Sequence, residues 1–334
     1  MIRVGIVGCG SIAKTHAWVL KQMADVELVG FADTIIQRAV NFSKTYTDQN
    51  AAVFHSLTEM LQDAGLNVLH ICTPHYLHVP MAVEAMNSGV SVFSEKPPAI
   101  DMEQFAQLSQ VSKNDEVKLG FCFQNRYNKE IAKTDEILSS GRLGNVIGSR
   151  AFVTWRRDED YYISDWKGKI VTEGGGALIN QSIHTLDLML RYLGEPTSVQ
   201  ATVINHHLPS VIEVEDTVEA WMTFAGGARA CFYATTAYAT DAPVIFELQC
   251  ERGSITLVDK SVTVRESGCE PQCYSFDETV GVGKSYWGNG HLACIKDFYD
   301  KLDSNARFQN DLDGVKTTMK TMMRIYDFRE RREN

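Results

Sequence analysis

The sequence predicts an α/β chain in two parts. A doubly wound parallel sheet comes first, and an α+β domain with a large, mostly antiparallel open sheet follows. Three observations carry this reading. Short β-branched runs alternate with helical runs over the first 120 residues. A G-x-G-x-x-A turn directly follows the first of those runs. After about Gly144 strand-like runs succeed one another, and glycine-containing turns separate two of the pairs.

In the first half, strands are expected at Arg3–Val7, Glu27–Ala32, Val68–Cys72, Val90–Phe93 and Lys118–Phe121. Helical periodicity fills Ile12–Met23, Ile35–Tyr46, Leu57–Gln62, His78–Ser88 and Met102–Ser112. Such a sheet binds ligands beyond the carboxyl ends of its strands. Residues 1–122 therefore read as a nucleotide-binding domain and 123–334 as a second domain.

The second half opens with a strand at Val146–Trp155 and a loop rich in charge and aromatics at Arg156–Lys169. Gly174–Gly176 then opens one long apolar helix ending near Leu193. Strands are expected at Ser198–Asn205, Thr217–Phe224, Ala228–Ala234, Val244–Cys250, Ser254–Val258 and Ser261–Arg265, with turns at 226–227 and 252–253. Helices at Gly290–Leu302 and Leu312–Arg329 close the chain.

The 334 residues are 44% hydrophobic and 22% charged, enough apolar chain for a sizeable core. A net charge of −10 disfavours a general nucleic-acid partner, since phosphate selects for a basic surface. The N-terminus reads as a strand rather than a targeting segment, and the least charged stretch, Ala64–Val83, carries three His and two Pro, so no membrane span is expected. Eight scattered cysteines fit a reduced, cytoplasmic protein. Cys269 and Cys273 lack two further ligands at sensible spacing, so no metal is expected.

In the glycine turn, Gly8 permits the sharp bend, Gly10 lets backbone approach a pyrophosphate, and Ala13 allows close helix–strand packing. Ser11 and Ile12 start the helix, whose free N–H groups and dipole favour phosphate. A tight turn without a ligand is the plain alternative for the motif alone. Asp33, about 20 residues further on at the end of the second strand, stands where an acid meets ribose hydroxyls. Its charge favours NAD, and Arg38 keeps NADP open.

Two more strand ends reach the same crevice. One carries Thr73, Pro74, His75 and His78, the other Glu95, Lys96 and two prolines. Taken alone, Lys96 is equally a solvated loop lysine. On the long helix, Asn180 and His184 are four apart and share a face, with Asp187 three further on. By itself that pattern also fits a hydrogen-bonded core histidine. Arg156 and Arg157 read as solvated loop residues, with a grip on an anionic substrate as the alternative.

The glycine turn, Asp33, the Glu95-Lys96-Pro97 triplet and the GGG…Asn180…His184…Asp187 helix together resemble the Gfo/Idh/MocA oxidoreductases. Phe123-Gln124-Asn125-Arg126-Tyr127-Asn128 and the Tyr161-Tyr162…Trp166 loop are similar to the family as well. The resemblance implies a Rossmann domain followed by an open-sheet domain, residues 123–334, that binds substrate, makes a homodimer or homotetramer and packs a C-terminal helix back on the first domain. It implies NAD, a sugar or polyol substrate, Lys96 as catalytic lysine and His184 as the group that exchanges a proton with substrate. Asn180, Tyr161, Tyr162, Trp166 and Arg126 would bind substrate. Gly8, Gly10, Ser11, Ile12, Asp33, Arg38, Thr73, Pro74, His75, His78, Glu95, Lys96 and Asn125 would line the cofactor. The commonest family pattern has Asp where this chain has Asn180. The expected reaction is hydride transfer between nicotinamide and a secondary alcohol or ketone. An NAD-dependent glycoside hydrolase, a dehydrogenase of non-sugar alcohols and a non-catalytic cofactor-binding regulator are the alternatives.

Overall fold

The computed structural model describes residues 1–112, 116–276 and 290–329. The chain forms two compact units. The first comprises Met1–Tyr127 and the described residues of the later segment that ends at Val315.

Its sheet contains β1 (Ile2–Val7), β2 (Val26–Ala32), β3 (Ala52–Phe54), β4 (Val68–Ile71), β5 (Ser91–Ser94) and β6 (Leu119–Phe121), in the order β3-β2-β1-β4-β5-β6. Every pairing is parallel. The strands of the sheet interior are nearly continuous buried runs, as a sheet covered on both faces requires. The connecting helices are α1 (Ala13–Leu20), α2 (Ile36–Thr47), α3 (Leu57–Asp63), α4 (His78–Asn87) and α5 (Met102–Val111). Strand β3 was not expected. It is a three-residue edge strand with two exposed side chains, so no buried apolar run marks it.

The sheet order reverses between β1 and β4. The loops after these strands, Gly8–Ile12 and Cys72–Leu77, therefore flank the switch point where open α/β sheets take ligands. The core around Val4, Ile6, Ala17, Phe31 and Phe93 includes Phe298 and Tyr299 of a late helix.

The second unit begins at Asn128 with a helix, α6 (Lys129–Ser139), that lay outside the sequence expectations. Its eight strands are β7 (Val146–Thr154), β8 (Ser198–Ile204), β9 (Thr217–Thr223), β10 (Arg229–Thr235), β11 (Ile245–Cys250), β12 (Gly253–Val258), β13 (Ser261–Glu266) and β14 (Gln272–Ser275). They run in the order β14-β13-β12-β11-β7-β10-β9-β8. Only β7 and β10 pair in parallel. The strict alternation of β9 and β10 buries one face, through residues such as Val218, Ala220 and Phe232, and leaves the other open.

A short helix, α7 (Ile170–Glu173), precedes the glycine run. The expected single helix from the glycines to Leu193 is two pieces. Ala177–Ser182 forms a wider, π-helical turn and α8 (Ile183–Leu193) follows. Ser182 Oγ donates to the carbonyls of Ala177 at 2.7 Å and Leu178 at 3.2 Å, so the serine takes up carbonyls that a regular helix would satisfy by backbone. The face shared by Asn180 and His184 is thus not that of a regular α-helix.

Two helices close the described chain, α9 (His291–Tyr299) and α10 (Leu312–Tyr326). α9 belongs to the first unit, where Phe298 packs 5.2 Å from Phe93. α10 belongs to the second unit from Lys316 onward, where Thr318 donates to buried Asp187 at 2.7 Å.

Candidate active site

In the first unit the glycine loop has the form the sequence requires. Gly8 sits at φ +85°, and a Cβ there would lie 2.7 Å from the Cys72 carbonyl group, so no other residue fits. A Cβ on Gly10 would meet nothing within 4 Å, leaving its backbone open to a bound group. Asp33 binds this loop directly. Its Oδ2 accepts from the Cys9 N–H at 2.8 Å and its Oδ1 from the Ile35 N–H at 2.8 Å. Arg38 is more than half exposed and stands 3.9 Å from Asp33 Oδ1. Burial, then the Asp33 charge, pushes the Cys9 thiol up to about 12, so it is an inert packing group.

Behind the second strand end, His78 Nδ1 lies 2.8 Å from the Pro97 carbonyl and Nε2 lies 3.0 Å from the Thr73 carbonyl. Burial lowers its pKa, and a neutral ring donates to one of the two carbonyls at a time. His78 therefore pins the two loops together, and His75 is buried 5.7 Å from it. Asn125 Oδ1 is buried with no hydrogen-bond partner among the described residues.

Within Ser91–Ala99, Lys96 is the single residue that is not buried. Its neighbour Glu95, expected among the cofactor contacts, turns inward. Glu95 Oε1 lies 2.9 Å from His16 Nε2, His16 Nδ1 lies 2.8 Å from His70 Nδ1, and His70 Nε2 lies 3.0 Å from the Tyr299 hydroxyl. All four side chains are buried. Burial alone would raise the Glu95 pKa, but the His16 hydrogen bond reverses this and holds it well below the ordinary carboxylate range. No sequence argument selected His16, His70 or Tyr299. A histidine within an apolar strand, His70, was the available signal. Arg126, expected at the substrate, donates to the carbonyls of Gln309 at 2.8 Å and Gly314 at 2.9 Å and to Asn310 Oδ1 at 3.1 Å. It ties the α9–α10 segment to the first unit.

In the second unit the glycine run is a packing requirement. A Cβ on Gly176 would collide with the Glu215 carbonyl oxygen, and one on Gly175 with the Tyr326 hydroxyl. Glu215 Oε1 caps the turn that follows, accepting from the Gly176 N–H at 2.9 Å and the Leu178 N–H at 3.0 Å. Along residues 174–190, only Asn180, Gln181 and His184 escape full burial.

The aromatic loop meets these residues. The Tyr161 hydroxyl accepts from Gln181 Nε2 at 2.8 Å and from Asn180 Nδ2 at 3.3 Å, and the Lys167 ammonium stands 3.5 Å from the Tyr161 ring centre. Tyr162 packs edge-on to Tyr161 at 5.0 Å, and Trp166 is half-buried. Arg157 departs from the expectation of a solvated loop. It is 7% exposed, pairs with Asp241 at 2.8 Å and donates to Gln181 Oε1 at 3.2 Å. Its guanidinium carbon lies 5.2 Å from the Trp155 ring centre and 5.4 Å from that of Tyr161, aromatic cover that goes with the burial. Arg156 is exposed and pairs with Asp158.

Residues 2–123 match the family model described as an oxidoreductase family with an NAD-binding Rossmann fold, and residues 131–256 match the GFO/IDH/MocA C-terminal domain. The chain belongs to the Gfo/Idh/MocA oxidoreductase family. Its first unit is an NAD-binding Rossmann domain. A D-glucoside 3-dehydrogenase of Escherichia coli is 29% identical over 199 residues, 58% of this chain and 55% of that one. An inositol 2-dehydrogenase of Rhizobium meliloti is 27% identical over 60% of this chain and 58% of its own. The matched part thus spans little more than half the length of these relatives. Among solved structures, the WlbA dehydrogenase from Bordetella pertussis, in complex with NADH and UDP-GlcNAcA, is 27% identical and superposes with a TM-score of 0.82 over 98% of this chain and 96% of that one. A levoglucosan dehydrogenase complexed with NADH shares the fold with a TM-score of 0.86 at 18% identity.

The residues present fit the cofactor. The open Gly10 backbone, the buried Asp33 carboxylate at the end of β2 and the unpartnered Asn125 oxygen are what a dinucleotide's phosphates, ribose and polar groups require. Among the described residues, no helix is long and apolar enough to cross a membrane.

Proposed function

We propose that this chain is an NAD-dependent dehydrogenase acting on a secondary alcohol of a sugar, cyclic polyol or sugar derivative. One observation carries the reading. Two otherwise buried runs each let out a group able to do acid–base or electrostatic work, Lys96 from the β5 end and His184 from α8. The named relatives and the WlbA complex, all concerned with sugars or polyols, support the substrate class.

The nicotinamide supplies hydride exchange at the carbinol carbon. His184, neutral, takes the hydroxyl proton as the alcohol is oxidised and returns it in the reverse direction. Lys96, cationic, donates a hydrogen bond to the reacting oxygen and favours its alkoxide character. Asn180 hydrogen-bonds substrate hydroxyls, and Tyr161, Tyr162 and Trp166 offer the ring faces that sugars pack on. Gly8, Gly10, Ser11, Ile12, Asp33 and Asn125 hold the cofactor, with Thr73 and Pro74 on the adjoining loop.

We place the protein in the cytoplasm, because all eight cysteines are free, including exposed Cys269 and Cys273. We further propose a homo-oligomer through the open face of the second sheet. Trp221 is 63% exposed and Ile245 38% exposed there, and both lie on the face that also carries Arg150 and Glu247. Trp221→Glu should lower the mass measured by light scattering.

The test of function is a screen of sugars, inositols and sugar nucleotides with NAD and with NADP, followed by NADH or NADPH absorbance. Net reduction with a polyhydroxylated substrate is the expected result. Glycoside cleavage without net reduction, or tight NAD binding with no turnover at all, would overturn it.

A further inference from the structure

The starting point is the bond between Asn180 and Glu173. Glu173 ends α7 and is 1% exposed. Its two oxygens have separate donors. Oε2 accepts from the Gly168 N–H, and Oε1 accepts from Asn180 Nδ2 in a short hydrogen bond. An ionised carboxylate only accepts, so the amide must turn its NH2 toward Glu173. Its carbonyl oxygen then points away from Glu173 within the amide plane. In that orientation the same nitrogen also donates to the Tyr161 hydroxyl at 3.3 Å.

We propose that Glu173 is a positioning residue for the substrate site: it holds the Asn180 amide so that Asn180 meets substrate through its carbonyl oxygen, as an acceptor for a substrate hydroxyl. This rests on the dehydrogenase reading above. It also gives a physical reason for Asn at 180, where the commonest family pattern has Asp. A carboxylate there would face the Glu173 carboxylate at hydrogen-bond distance, and two such groups cannot both ionise.

Several charged and titratable groups act on Glu173. Glu215 repels it, and Lys167 of the aromatic loop attracts it. Tyr161 reaches it through Asn180, and Tyr162 senses its charge. From the C-terminal segment, the Tyr326 hydroxyl donates to Glu215 at 2.9 Å and Arg329 pairs with Glu215 at 3.4 Å, so both act on Glu173 through Glu215. Burial outweighs the two hydrogen bonds and brings Glu173 to about 7. The anchor is therefore complete on the alkaline side of neutrality and loosens on the acid side.

The acceptor count makes the test sharp. Glu173→Gln offers one acceptor for two donors, so either Gly168 or Asn180 loses its partner. It should raise KM about tenfold, as for loss of one charge-assisted hydrogen bond, with a smaller change in kcat. It should have little further effect in an Asn180→Ala background. Asn180→Asp alone should also raise KM. The double variant Glu173→Gln, Asn180→Asp exchanges amide and carboxylate while keeping every donor matched to an acceptor, and should recover most of that loss. Equal, additive losses in the single and double variants would overturn the proposal. A second readout needs no substrate. In asparagine-labelled protein, the Asn180 side-chain NH2 resonance should shift as pH crosses neutrality and should stay fixed in Glu173→Gln. A resonance that ignores pH in the wild type overturns the anchor even if the enzyme is a dehydrogenase. A shifting resonance in a protein without dehydrogenase activity would instead refute the functional reading alone.

Discussion

Asp33 Oδ2 accepts the backbone N–H of Cys9 at 2.8 Å, so the acid proposed to meet the ribose also braces the glycine loop proposed to meet the phosphates. Residues 24 apart in sequence are thereby held together as one structural element. Each oxygen keeps a lone pair for a ribose hydroxyl, while a 2′-phosphate would meet a buried negative charge. Arg38 is too exposed and too far away, at 3.9 Å, to cancel it.

NAD should accordingly bind about tenfold tighter than NADP or better, a difference near 1.4 kcal/mol. Asp33→Asn should narrow that gap by removing the charge. Fluorescence titration of both cofactors checks this, and equal or tighter NADP binding by the wild type would contradict it.

The inward chain Glu95–His16–His70–Tyr299 should matter for stability before it matters for chemistry. Replacing His16 by Ala leaves the buried Glu95 carboxylate without its histidine partner and should cost about 3 kcal/mol in denaturant unfolding. The double variant His16→Ala, Glu95→Gln should cost less than the sum of the two, since the stranded charge is gone. Additive losses would show that the two side chains are not coupled.

Glu173 should leave a signature in the pH dependence of folding. Its folded value of about 7 lies above the ordinary 4.5, so the folded state holds the proton more tightly than the unfolded chain does. That stabilisation is fully present below the unfolded value and is lost as pH rises through the folded one, up to about 3 kcal/mol. The stability of wild type minus that of Glu173→Gln should therefore fall across this window. A flat difference would mean that burial does not shift Glu173.

Lys96 should be separable from its neighbour. Lys96→Ala should lower kcat by roughly 10²–10³-fold, as for loss of a donor to a developing oxyanion, with less effect on unfolding than His16→Ala. The comparison is read from steady-state kinetics beside denaturant melts. A Lys96→Ala variant that kept its turnover would remove the lysine from the chemistry.

Much of this was legible in the residues because local rules govern it. Gly8, Asp33 and the alternation of β9 and β10 follow from turn, strand-end and period-2 constraints that act over a few positions. Strand β3 and strand β14 escaped because their side chains are mostly exposed, whereas the equally short β4, β5 and β6 are fully buried and stand out as apolar runs. The π-helical turn at Ala177–Ser182 escaped because a serine hydroxyl on Ala177 and Leu178, not the apolar pattern, sets it. The roles of Glu95, Arg126 and Arg157 depend on partners at positions such as 16, 309 and 241, and no spacing rule connects residues so far apart. Glu173 stood in plain view at the head of the glycine run, but only the fold puts Asn180 against it.

Proton exchange between His184 and substrate is measured by comparing His184→Ala with wild type on the substrate the screen identifies, with kcat and the NAD dissociation constant taken on the same preparations. Loss of a general acid–base group should lower kcat by roughly 10²–10⁴-fold and leave NAD affinity essentially unchanged. Near wild-type turnover in His184→Ala would contradict the account.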